Sequence, residues 1–113
     1  MIQFKINEKP LSVNGAYLGR KIKSGAYREY EKTMLFMMPP GNIDPTEMLR
    51  IEFFFGFSSK AADIDNPCKP LIDLAQKKYG FNDKMVFELY VRKCIVKKGE
   101  EFIHMGIYKL LPF

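Results

Sequence analysis

The stretch Leu49-Arg50-Ile51-Glu52-Phe53-Phe54-Phe55-Gly56-Phe57 decides how this chain folds. Rich in Ile and Phe and free of proline, it reads as a β-strand. The run Phe53-Phe54-Phe55 is too apolar for a strand with one wet face, so a central place in a sheet covered on both sides is expected. On its N-terminal side, Pro39-Pro40-Gly41 stops a helix that runs from about Gly25 to Met38. Ser24 caps that helix, and Tyr27, Tyr30, Met34 and Met37 or Met38 recur on one face of it. Earlier still, Pro10 to Gly25 has loop composition, and Ile2, Phe4 and Ile6 alternate with Gln3 and Lys5 in a first strand.

On the C-terminal side, Asn66-Pro67 predicts a helix start, with Asn as cap and Pro at the first helical position. This second helix runs to about Tyr79, buries Leu71, Leu74 and Ala75, and ends at Gly80, where a left-handed cap is wanted. Two further strands, Met85 to Val96 and Phe102 to Leu110, flank Lys97-Lys98-Gly99-Glu100, which reads as a hairpin turn. The order β-α-β-α-β-β predicts an α/β (α+β) fold, a mixed sheet with two main helices packed on it.

At 113 residues the chain suits one domain, 1–113, without internal repeats or a dividing linker. With 47% hydrophobic and 14% aromatic residues it can bury a core. No apolar run approaches the roughly 20 residues of a membrane span, and the N-terminus lacks the order of a secretory signal. Cys68 and Cys94 are too few for a disulfide scaffold and read as small buried hydrophobes, while His104 alone excludes a multi-histidine metal site. A reduced, cytoplasmic protein is expected. Eighteen basic against thirteen acidic residues give a net charge of +5, which favours polyanionic partners and nucleic acid first among them.

The chemistry concentrates in Asp63-Ile64-Asp65-Asn66, with Lys69 close behind and Asp83 beyond the helix. In extended chain Asp63 and Asp65 project to the same side, and two like charges so placed call for a cation between them. Hard oxygen donors and no histidine cluster favour Mg²⁺, with Mn²⁺ as an alternative. Lys69 is placed to hold a phosphate oxygen. The same residues also make a good turn and helix cap, and Lys69 with Asp73 makes an ordinary i,i+4 pair. About thirteen helical residues carry the chain ~20 Å, so Asp83 returns to this end only if the following segment folds back.

Here the sequence resembles the RusA family of Holliday junction resolvases. That family opens a helix with Asp-x-Asp-Asn-x-x-Lys, matched by Asp63, Asp65, Asn66 and Lys69 and continued by Asp73-Leu74. Its second motif, an acidic pair after a Gly-containing turn, corresponds to Gly80-Phe81-Asn82-Asp83 followed by Val86. An N-terminal element of Pro, Ser and Asn is matched by Pro10, Ser12 and Asn14, with Tyr17 beyond. The order and approximate spacing hold from residue 2 to residue 107. Two departures stand out: Asn82 replaces the first acid of the pair, and the turn is shorter.

The resemblance implies a homodimeric endonuclease, dependent on a divalent metal and on no organic cofactor, that cuts two strands of a four-way DNA junction symmetrically. It assigns Asp63, Asp65 and Asp83 to the metal and Lys69 to catalysis. Arg20, Lys21, Lys23 and Arg28 around the first loop, with Lys77 and the Lys97-Lys98 turn, are expected to grip the DNA backbone. Asn14 and Tyr17 position DNA or brace the loop. A non-catalytic nucleic-acid-binding module, or a nuclease for flaps or forks, is the alternative.

Overall fold

A computed structural model describes residues 1–11 and 24–111. Its elements, in chain order, are β1 (Ile2–Ile6), α1 (Gly25–Met37), β2 (Leu49–Phe57), α2 (Cys68–Tyr79), a one-turn 3-10 helix (Asp83–Met85), β3 (Val86–Ile95) and β4 (Phe102–Lys109). This is the expected order of two helices on a mixed sheet.

Local chemistry explains where the helices start and stop. Ser24 is buried, and its Oγ accepts a hydrogen bond from the Tyr27 amide at 3.0 Å, closing the first turn of α1. Tyr27, Tyr30 and Met34 form the buried face of α1, and Met38 rather than Met37 completes it. The start of α2 departs from expectation. Pro67 occupies the cap position with helical backbone angles, and no side chain caps the helix. Asn66 instead turns its amide back to Asp63. At the other end Gly80 has φ of 80°, and its amide donates to the Gln76 carbonyl, so the left-handed cap is present.

The sheet order is β1-β4-β2-β3. β2 and β3 run parallel, joined through α2, whereas β4 is antiparallel to both β1 and β2. The Lys97–Glu100 turn therefore does not close a hairpin. The crossover through α2 places β3 on one side of β2, and the remaining side of β2 receives β4. The chain must pass over the end of β2, which it does where the Val96 amide donates to the Phe57 carbonyl at 2.8 Å. The turn itself is tight, with Glu100 N–H bonded to Lys97 O and Gly99 at φ 94°.

The core lies on one face of the sheet. Leu49, Ile51, Phe53, Phe55 and Phe57 from β2 meet Tyr30 and Met34 of α1 and Leu71, Leu74, Ala75 and Tyr79 of α2. Ile103, Met105 and Ile107 of β4 continue this layer. Each such side chain contributes about 1.5–3 kcal/mol by leaving water. The two helices are tied by Lys78, whose Nζ donates to the Leu35 carbonyl at 2.9 Å.

The expectation of cover on both faces is not met among the described residues, whose two helices lie on one face. Strand alternation persists through the phenylalanine run, so Phe54 points away from the helices with Arg50 and Glu52. There it meets Phe102 edge-on at 5.3 Å and lies beneath the Arg92 guanidinium at 5.4 Å. Among the described residues, aromatic and cationic neighbours in the same face shelter it.

Candidate active site

β2 ends at Phe57, and the chain then turns through residues 58–66 before entering α2. Lys93 on β3 donates to the Ala62 carbonyl at 2.8 Å, pinning this loop to the sheet. The Asp63-Ile64-Asp65-Asn66 turn is closed by its own polar groups. Asn66 Nδ2 donates to Asp63 Oδ2 at 3.2 Å, and the Cys68 amide donates to the Asp65 carbonyl at 3.0 Å. The Asp63 and Asp65 side chains remain exposed. Behind them Cys68 is buried, and loss of water, aided by the nearby Asp65 charge, pushes its thiol up to about 12.

Lys69 stands in the first turn of α2 and reaches along the helix. Its Nζ lies 3.0 Å from Asp73 Oδ1 and 3.6 Å from Asp83 Oδ2. The hydrogen bond to Asp73, reinforced by the charges of Asp73 and Asp83, holds the ammonium above the ordinary lysine range against a smaller opposing effect of burial. Gln76 completes the arrangement. Its Nε2 approaches Asp73 Oδ1 at 3.4 Å, and its Oε1 accepts the Asp83 amide at 2.8 Å. The segment after α2 thus folds back along the helix, and Asp83 reaches Lys69. Asn82 has a local task, its Oδ1 accepting the Lys84 amide at 3.0 Å to cap the 3-10 turn.

The structure therefore joins Lys69 of the first motif to Asp83 of the second, through Asp73 and Gln76. It does not gather all three expected carboxylates. Among the described residues, no three His, Cys, Asp or Glu side chains converge closely enough to hold a metal ion. The donor type suits Mg²⁺ or Mn²⁺, since exposed carboxylates are hard oxygen ligands. The spatial arrangement has Asp83 facing an ammonium instead.

The expected DNA-contacting residues divide. Arg28 is exposed on α1, and Lys77 is exposed on α2 with its Nζ 2.5 Å from Glu31 Oε2. Lys97 and Lys98 are exposed beyond β3. Because Phe57 pairs with Ile95, their turn lies at the same end of the sheet as the Asp63 loop. Asn14, Arg20, Lys21 and Lys23, with Ser12 and Tyr17, lie outside the described residues. Gln76 and Lys93 escaped the sequence reading. Gln76 had a usable signal, standing three residues after Asp73 on the same helix face; Lys93 had none.

No helix among the described residues is long and apolar enough to cross a membrane, and both cysteines are free. No family model matches the chain. Among curated proteins, none matches it significantly.

Proposed function

We infer that this chain is a metal-dependent, structure-selective DNA endonuclease that resolves four-way junctions by paired symmetric cuts. One observation carries the reading: two motifs separated by a whole helix meet, with Lys69 Nζ 3.6 Å from Asp83 Oδ2, on the helix that follows the exposed Asp63 and Asp65 turn. A helix cap alone would give no reason for Asp83 to come back to Lys69.

In this reading Lys69 holds a non-bridging oxygen of the scissile phosphate and stabilises the charge that grows there. Asp73 keeps the ammonium protonated and aimed, and Gln76 keeps the Asp83 backbone in place. Asp63, Asp65 and Asp83 would hold Mg²⁺, which supplies a Lewis acid and a more acidic water when bound. Two equivalent cuts call for two equivalent sites, which a two-fold homodimer provides. Free cysteines agree with a reduced, cytoplasmic setting.

That Asp63, Asp65 and Asp83 do not converge as a set of three favours a second reading, a nucleic-acid-binding module without catalysis. Cleavage of an end-labelled mobile four-way junction, with and without Mg²⁺, separates the two. The nuclease reading expects paired nicks from wild type in Mg²⁺ and junction binding without cleavage from Asp65→Asn. Tight binding with no product from wild type in Mg²⁺ or Mn²⁺ would establish the second. Parallel three-way and flap substrates show whether four-way junctions are preferred.

A further inference from the structure

We propose that the sheet face turned away from the helices is a stacking platform for unpaired bases of single-stranded DNA. The choice of DNA rests on the nuclease reading; the stacking surface does not. This face lies across the sheet from the core, in a different layer from α2, which carries Lys69.

Its residues alternate aromatic rings with cations. The Arg50 guanidinium lies 5.5 Å from the Tyr90 ring centre and 5.3 Å from that of Tyr108, a Tyr–Arg–Tyr series across three neighbouring strands. Arg92 covers Phe54, and Lys5 stands 4.6 Å over Phe102. Two glycines let rings lie against the sheet. A methyl group at Gly56 would fall 2.4 Å from the Phe102 ring, and one at Gly106 would fall 2.4 Å from the Tyr108 hydroxyl and 2.6 Å from its ring. Tyr108 is held in that pose by a 2.8 Å hydrogen bond to Gln3. Between β2, β3 and β4 the face opens into a cavity of about 580 Å³ bordered by Arg50, Phe54, Tyr90, Arg92 and His104. Arg50 itself is held by Glu52, which fixes the guanidinium between the two tyrosines.

Flat rings interleaved with guanidinium groups suit bases, which stack on either. Tyr, Phe and Arg also favour protein interfaces, so a second copy of this chain is the occupant the test must separate from bases. The charge is modest. Lys5, Arg50 and Arg92 outweigh Glu52 and Glu88 by one, and Arg50 is already paired with Glu52. Attachment at this face should therefore depend on bases more than on phosphates.

The test is fluorescence anisotropy, without divalent metal, on a labelled thymidine 20-mer and on an abasic 20-mer of equal charge. Wild type is expected to prefer the thymidine strand about ten-fold. Tyr90→Ala, at a side chain 55% exposed and outside the core, should erase that preference and leave abasic binding unchanged. Asp65→Asn should keep the preference, so failure of the nuclease reading would not mimic failure of this one. Equal affinity of wild type for both strands overturns the proposal, as does a tighter grip on a uridine 20-mer than on the thymidine strand. Sedimentation showing a wild-type dimer that Tyr90→Ala dissociates would assign the face to a second copy instead.

Discussion

Lys69 Nζ sits between two carboxylates, 3.0 Å from Asp73 and 3.6 Å from Asp83, and the second of these comes from beyond the end of the helix that Lys69 begins. That contact makes one site out of two separated sequence motifs. It also separates chemistry from stability, because Lys69 and Asp83 lie toward solvent and owe the fold little.

Lys69→Gln is accordingly expected to leave the unfolding midpoint almost unchanged, since exposed ion pairs contribute about 0–1 kcal/mol. Junction cleavage should fall by about 10²–10³-fold, the usual effect of removing one group that stabilises transition-state charge. Urea denaturation and single-turnover cleavage on the same preparation check both halves. A large loss of stability with cleavage intact would refute the assignment.

Leu74→Ala should behave in the opposite way. Leu74 is fully buried where α2 meets the sheet, so a loss of about 2–5 kcal/mol is expected, read from urea midpoints.

Gly80→Ala isolates the turn that sends the chain back toward Lys69. With φ at 80° and open space around the missing Cβ, the cost is backbone strain alone, about 1–2 kcal/mol. Because this turn also leads into Asp83, cleavage should weaken with stability.

The two thiols should differ in reactivity. Cys68 is buried, with its thiol pushed up to about 12, whereas Cys94 is half-buried on the open face. At pH 8 a thiol reagent should modify Cys94 first and reach Cys68 only as the protein opens. Sign follows from the same shift. The unfolded thiol ionises from about pH 9 while the folded one does not, so above pH 9 the unfolded state binds fewer protons and stability falls with rising pH. The raised Lys69 acts in the same direction. Cys68→Ala should flatten the fall between pH 9 and 12 in an alkaline denaturation series.

Much of the architecture was legible because it depends on near neighbours. The Ser24 cap, the Tyr27-Tyr30-Met34 stripe, the Gly80 stop and the paired Lys69 and Asp73 involve successive groups three or four residues apart, whose meeting a helix imposes. The hairpin between the last two strands was misread because a tight turn says nothing about which strand lies beside which. The Phe53-Phe54-Phe55 run was misread because apolar content signals burial without saying what does the burying. Phe54 is sheltered by Phe102 and Arg92, residues 48 and 38 positions away (54 to 102, 54 to 92).

By itself, then, the sequence determined the elements, their order and the residue types available for chemistry, since propensity, capping and periodicity act over a few residues. Only the tertiary structure decided that β4 inserts between β1 and β2, that among the described residues both helices lie on one sheet face, and that Asp83 comes to Lys69 without Asp63, Asp65 and Asp83 converging as a set. Those outcomes depend on strand pairing and chain return over tens of residues, where many arrangements share the same local preferences and packing of the whole chain selects one.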